Sequence, residues 1–467
     1  GRRHRRCGGL LQCGPPPHLF WGWQWAAPSA VQGCQARGGE RRQMAEIEWD
    51  PFVDPADLES SAPQQKAVCG PIAVEDLLDL TEVEAAYAAQ LLESLPLGHH
   101  LGNACAEDGI ENGNTDFIVA GSGIFTATPE LVSDDGVDSE SAYEGPVYRR
   151  GAINAEFCED LMRWQQQQKA LAKRCAYDIV QDTIELLRSS SSVMDVEIPA
   201  GTDITVCGDV HGQYYDLLNI WNLNGVPSEE NPYLFNGDFV DRGSFSLEVI
   251  LALFAWKLLY PRHLHLARGN HESQTMNRIY GFESEVKSKY DLGLYSLFCE
   301  AFCLLPLCHV LNSRVFVVHG GLFSEDGITL EELRRIDRVC EPPDEGLMVE
   351  MLWSDPQPTR GRAPSKRGVG VAFGEDVTED FLSTNGLELV IRSHELCEDG
   401  YSVEHGGKLI TLFSAPNYCD QMGNRGAFIR LDGETLTPKP QSFVAVPHPP
   451  VPAMRYAGLT PFLGSSY

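Results

Sequence analysis

The chain has 467 residues, 43% of them hydrophobic, enough for one large or two medium domains with a sizeable core. Acidic side chains outnumber basic ones by 66 to 36, a formal net charge of −30, which argues against nucleic acid or an anionic membrane as partner. The best apolar run, near Phe20 to Val31, is broken by Gln24 and Pro28, and the 14 cysteines form no C-x-x-C pair. A soluble chain with reduced thiols, cytoplasmic or nuclear, is therefore expected.

Charge divides the chain into three parts. Residues 1–43 carry +6 and end before Met44, the first methionine, so they read as translated leader sequence. The alternative is an Arg-rich targeting segment or a basic nuclear address at Arg2 to Arg6. Residues 44–148 carry −21 and read as a largely disordered arm, interrupted by one amphipathic helix over Val74 to Leu95. This arm has no self-similarity at a period of about 34 residues, so no helical repeat array is expected. The rest carries −15 and divides into a folded domain, residues 149–458, and a tail, 459–467.

Within that domain, Arg149 to Arg188 is predicted helical through Leu161, Trp164, Leu171, Tyr177, Ile179 and Leu186, and closes at serines 189–192. After Gly201 short β-branched runs alternate with helical patterns: ITVC from Ile204, YLFN from Tyr233, HLHLA from His263, VFVVH from Val315, ELVIRS from Glu388 and KLITLF from Lys408. This texture predicts a mixed architecture of sheets and helices in layers.

Five of these strands end in polar clusters, where sites in such folds gather. The first presents Asp209 and His211, the second Asp238, Asp241 and Arg242, the third Asn270, His271 and Glu272, and the last two His319 and His394. A lone strand-end Asp or His is usually a structural cap; this series in sequence order is not. Two divalent cations about 3.5 to 4 Å apart need a bridging carboxylate with oxygen and imidazole ligands. Asp238 suits the bridge, Asp209 and His211 one metal, and Asn270, His319 and His394 the other. Such ligands accept Mn, Fe, Zn or Mg. Phosphoryl transfer also needs a donor for the equatorial oxygens, for which Arg242 is placed, and an acid for the leaving group. His271 fits the latter, with Asp241 to fix its tautomer; the lesser alternative is a side chain that merely hydrogen-bonds a ligand.

The blocks GDVHGQ, GDFVDRG, RGNHES, HGGL and SAPNYCDQMGN resemble the signature blocks of the metal-dependent serine/threonine phosphoprotein phosphatases. CAYDIV, NIWNLNG, MNRIYGFESEVKSKY, MLWSDPQP, SKRGVGVAFG and FVAVPHP extend the resemblance over Tyr143 to Tyr456. It implies an α+β fold of metallophosphoesterase type, a central β-sandwich flanked by helices. It implies Asp209, His211, Asp238, Asn270, His319 and His394 as metal ligands, and His271 with Asp241 as the proton-donor pair. Arg242, Asn270, Arg367, His394 and Tyr418 would face the substrate. Arg367 and Tyr418 rest on the resemblance alone; within RGRAPSKRG, Arg367 reads as one more surface arginine, and Trp353 reads as a core aromatic outside the site.

The activity so implied is hydrolysis of phosphoserine and phosphothreonine in phosphorylated proteins by a metal-bridging hydroxide, without a covalent phosphoenzyme. The alternatives are another two-metal phosphoesterase, or a scaffold acting through the acidic arm. The most similar branch of the family carries tetratricopeptide repeats that dock chaperones, and residues 44–148 do not look like them. Chaperone docking is accordingly not expected.

Overall fold

The computed structural model describes residues 143–457. The segment 1–43, the arm with its expected helix at 74–95, apart from its last residues, and the tail 459–467 lie outside the described residues. The chain enters through α1 (Ala155–Gln166) and α2 (Lys173–Leu187), then runs through β1 (Val193–Val196), β2 (Asp203–Cys207), α3 (Tyr214–Asn224), β3 (Tyr233–Phe235), α4 (Ser246–Leu259) and β4 (Leu264–Leu266). Helices α5 (Gln274–Tyr280), α6 (Phe282–Lys289) and α7 (Leu292–Leu304) follow, then β5 (Cys308–Leu311), β6 (Val315–Val318), α8 (Leu330–Arg334) and α9 (Leu347–Trp353). The chain continues through β7 (Asp355–Pro356), β8 (Arg362–Pro364), β9 (Val371–Phe373), α10 (Glu375–Asn385), β10 (Leu389–Arg392), β11 (Tyr401–Glu404), β12 (Leu409–Leu412), β13 (Gly426–Asp432) and β14 (Pro438–Phe443).

These strands form a six-stranded sheet, β1-β5-β6-β10-β12-β11, a five-stranded sheet, β14-β13-β2-β3-β4, and a small three-stranded sheet, β7-β9-β8. Side chains alternate across each strand, so each large sheet sorts its residues between two apolar layers. Val206, Leu234 and Ile429 of one sheet meet Val317, Ile391 and Leu412 of the other in an aliphatic interior. On the outer face of the five-stranded sheet, Tyr233, Phe235 and Phe428 share a cluster with Trp221, Phe254 and Phe298 of the helices. The outer face of the six-stranded sheet covers Phe316 and Val390 with Met351, Leu352 and Phe381. The result is the expected sandwich between helical layers, and burial on both faces is why its strands read as continuous apolar runs.

Two local departures have physical causes. The expected helix over 149–188 is two helices: α1 starts at Asn154, whose Oδ1 accepts the Phe157 N–H at 2.8 Å, and stops where Gln168 takes φ 58°. Tyr148, assigned by charge to the arm, is 3% exposed; its hydroxyl donates to Asp182 at 2.5 Å. Among the described residues no helix is long and apolar enough to cross a membrane.

Strands β2, β3 and β4 run parallel to one another, as do β6, β10 and β12. A single parallel bridge from Asp209 to Phe413 joins the loop after β2 to the loop after β12, so the two sheets meet at the carboxyl ends of these strands. That seam is where the polar clusters converge.

Candidate metal centre and active site

Glu272 organises the seam. Its carboxylate accepts the backbone N–H groups of Asp238, Phe239 and Gly269, each at 2.8 Å, and so locks the loop after β3 to the loop after β4. Gly269 makes the approach possible, because a Cβ there would lie 2.2 Å from Asp238 Oδ1. Cross-links of the same kind tie in the rest: Asp238 Oδ1 accepts the His271 N–H at 2.9 Å, and Asp209 Oδ1 accepts the His394 N–H at 3.0 Å. Five site residues sit in the left-handed region, namely His211, Asp238, Asp241, Arg242 and His394, at φ between 45° and 70°. Non-glycine residues stay there only where their surroundings over-determine them.

Two imidazole tautomers follow from their outer hydrogen bonds. His211 Nδ1 donates to the Val240 carbonyl at 3.0 Å and His319 Nδ1 to the Asn236 carbonyl at 2.8 Å, which leaves both Nε2 lone pairs for the centre. His211 Nε2 lies 3.6 Å from Asp209 Oδ2 and 3.5 Å from Asp238 Oδ2. The amide end of Asn270 lies 3.1 and 3.2 Å from the Asp238 oxygens, 2.9 Å from His319 Nε2 and 3.0 Å from His394 Nδ1. With its oxygen inward, as a metal ligand requires, Asn270 turns a further lone pair toward the Asp238 oxygens, His319 Nε2 and His394 Nδ1, a crowding of acceptor atoms. A cation resolves that conflict.

The electrostatics agree. Burial, with the neighbouring Asp238 charge second, pushes Asp209 up to about 7, and burial pushes Asp238 up to about 8. Burial likewise drives His211, His319 and His394 downward. Neutral imidazoles are the ligating form, and carboxylates that resist ionising alone ionise beside a dication. Asp238 belongs to both sets of side chains able to converge on an ion, His211–Asp238–His271 and Asp238–His319–His394, with donor atoms within 4.8 Å in each. In the first set His271 stands where sequence spacing put Asp209. We keep Asp209 with the ligands because its Oδ2 lies 3.6 Å from His211 Nε2, and give His271, whose Nδ1 is bonded to Asp241 Oδ2 at 2.8 Å, the proton-donor role.

Asp241 is itself fixed, by the Phe282 N–H at 2.8 Å and Asn277 Nδ2 at 3.1 Å. The Arg242 guanidinium lies over the Tyr280 ring, 3.7 Å from its centroid. Arg367 donates from Nε to Asp355 Oδ2 at 2.6 Å and from Nη2 to the His394 carbonyl at 3.2 Å. Asp355 is shared with the fully buried Arg392 at 2.8 Å. The charges of Arg242 and Arg367 both act on Asp238 and His271. Tyr418 brings its ring 5.2 Å from that of His211, and Trp353, left out on sequence grounds, meets His394 edge-on at 5.6 Å. The structure thus gathers Asp209, His211, Asp238, Asp241, Arg242, Asn270, His271, His319 and His394 into one centre, with Arg367 and Tyr418 beside it. Sequence reasoning missed Asn277, Tyr280 and Asp355, and left Glu272 without a role.

This fold and this cluster define a metallophosphoesterase: the profile described as calcineurin-like phosphoesterase matches residues 202–398, a family that uses divalent metals. Serine/threonine-protein phosphatase 5 of Solanum lycopersicum is 59% identical over 72% of this chain and 60% of its own length, and that of Homo sapiens 55% identical over 70% and 65%. Serine/threonine-protein phosphatase T of Trypanosoma brucei brucei is 52% identical over 68% of this chain and 67% of its own length. A solved Saccharomyces cerevisiae phosphatase, described as similar to human phosphatase PP5, superposes with a TM-score of 0.63 at 41% identity, over 65% of this chain and 100% of that one. The chain belongs to the serine/threonine-protein phosphatase family, in the branch of phosphatases 5 and T. It spans 60% and 59% of the length of the phosphatases 5 of tomato and Arabidopsis thaliana.

One expectation is corrected. A profile described as the PPP5 TPR repeat region matches residues 126–195, so repeat-region sequence is present and the argument against chaperone docking falls. The described part of that match, from Tyr143 on, contains α1 and α2, which pack into the core through Leu161, Ile179 and Ile184. Residues 44–148 show no internal periodicity of this kind because the match lies mostly beyond them.

Proposed function

We propose that the chain removes phosphate from phosphoserine and phosphothreonine in protein substrates by direct attack of water, at a centre for two divalent metals drawn from Mn, Fe, Zn and Mg. The observation that carries this reading is the convergence of Asp209, His211, Asp238, Asn270, His319 and His394 beside a His–Asp pair and two arginines. Asp209, His211 and Asp238 would hold one ion, and Asp238, Asn270, His319 and His394 the other. Bound there, two dications supply positive charge to the phosphoryl oxygens and lower the pKa of water.

The chain's own groups do the rest. Arg242 and Arg367 clamp the equatorial oxygens, their planes set by Tyr280 and Asp355. Asp241 accepts from His271 Nδ1, so Nε2 is left to protonate the departing serine or threonine oxygen. Burial, Arg242 and His319 lower the pKa of His271 in the free site, and the arriving phosphate dianion favours its protonation. The nine free cysteines of the described residues suit a cytoplasmic or nuclear setting. Comparing a phosphoserine peptide with bis(para-nitrophenyl) phosphate at equal enzyme checks the substrate class. Faster turnover of the peptide, by about 10² or more in kcat/KM, supports a monoesterase; preference for the diester would replace it with a phosphodiesterase.

A further inference from the structure

Asp241 and Arg242 are consecutive non-glycine residues in the left-handed region, at φ 70° and 67°, so the turn that presents Arg242 keeps its shape only while its surroundings enforce it. Part of that enforcement is local, the Arg242 N–H donating to the Tyr280 carbonyl at 3.1 Å and the Gly243 N–H to the His211 carbonyl at 2.9 Å, and part comes from the segment following β14. The Met454 N–H donates to the Arg242 carbonyl at 2.7 Å. The Ser244 hydroxyl, 4% exposed, donates to the Pro452 carbonyl at 2.6 Å and accepts the Arg455 N–H at 3.4 Å. A Cβ on Gly281, next to the Tyr280 that stacks on Arg242, would lie 3.1 Å from backbone atoms of Tyr456 and Ala457. Farther upstream, His448 Nε2 lies 3.0 Å from Asp420 Oδ1, in the turn that carries Tyr418. One segment therefore ties together both loops beside the centre.

We propose that residues 446–457 are a positioning strap for the phosphate clamp, in which Ser244 and Met454 act through the Arg242 turn and set the affinity for the phosphate group, not the rate of bond cleavage. This rests on the phosphatase reading above. A purely structural role is already served by Val446 and Val451, which pack on the core; the bonds from Met454 and to Pro452 go instead to the loop that aims Arg242.

The test uses the full chain with metal. Ser244→Ala deletes the hydroxyl link; Met454→Pro removes the N–H and cannot adopt the φ of 60° found there, whereas Met454→Gly keeps both. The first two are expected to raise KM for para-nitrophenyl phosphate, and to weaken inorganic phosphate binding by calorimetry, about tenfold with kcat within about twofold, while Met454→Gly stays near the parent. In an Arg242→Ala background, Ser244→Ala is expected to change phosphate affinity by less than about twofold. Unchanged affinity in both released variants, a loss of kcat at constant KM, or an equal change with and without Arg242 would each overturn the strap. Phosphate affinity does not depend on turnover, so a silent parent chain would count against hydrolysis while the affinity ratios still decide the strap.

Discussion

His271 is held on three sides: its N–H donates to Asp238, its carbonyl accepts from Asn277 at 2.7 Å, and its Nδ1 meets Asp241. Those bonds aim a ring that the ligand cluster around Asn270 does not need. His271→Asn is therefore expected to lower kcat by about 10² or more while bound metal, measured by elemental analysis, is unchanged; unaltered turnover would remove His271 as the proton donor. The ligands and this histidine are legible in the sequence because each follows a short apolar strand, and strand ends gather. Asn277 and Asp355 are not legible. Their contacts to Asp241 and Arg367 cross 36 and 12 residues of chain without a motif. Arg367 looks like a surface residue in a basic loop until the fold seats it on Asp355, where its side chain is 11% exposed.

Strands β4 and β5 put one imidazole each into the aliphatic interior between the sheets. His265 and His309 meet edge to face at 5.5 Å, with Lys257 nearby, and neither His265 Nε2 nor His309 Nδ1 has a partner among the described residues. Burial pushes His265 down to about 3 and His309 well below the ordinary imidazole range. Unfolded, both titrate near about 6.5. As pH falls below that value the unfolded chain takes up protons that the folded chain refuses, so the stability present at neutral pH is lost progressively toward pH 3. Each imidazole contributes a slope of up to about 1.4 kcal/mol per pH unit. His309→Leu should flatten the fall in Tm between about pH 6.5 and 5; a parallel pH profile in parent and variant would show that this pair does not govern acid stability. Element legibility divides on the same physics. Doubly buried strands announce themselves as apolar runs, whereas β14 carries Pro438 and Pro440 and pairs only with β13, an edge position where missing N–H groups are tolerated but no strand pattern survives.

Over the whole molecule, charge separates an acidic arm of −21 from the domain that bears the site. Every ligand, clamp and proton-donor residue falls within residues 209–418, and the core that supports them takes in Tyr148 and the residues after it. A chain lacking residues 1–142 is accordingly expected to keep turnover of a small aryl phosphate, read as kcat/KM within about tenfold of the full chain; complete loss in a folded product would show that the arm contributes to the chemistry. The boundary that charge suggests near residue 148 is straddled by the repeat-region sequence at 126–195, which charge and texture hid. Its helices α1 and α2 carry apolar residues into the catalytic core, so locally they read as part of that domain.

In the proposed reading, one buried cluster of carboxylate, amide and imidazole groups hydrolyses phosphomonoesters when it holds divalent metal. Its most direct test is para-nitrophenyl phosphate hydrolysis by the full chain, first stripped of metal with a chelator and then titrated with Mn²⁺. Negligible turnover is expected after stripping, with recovery that saturates as ion is added. Absence of turnover with Mn²⁺, Zn²⁺ and Mg²⁺ each in excess, in a folded chain, would contradict it.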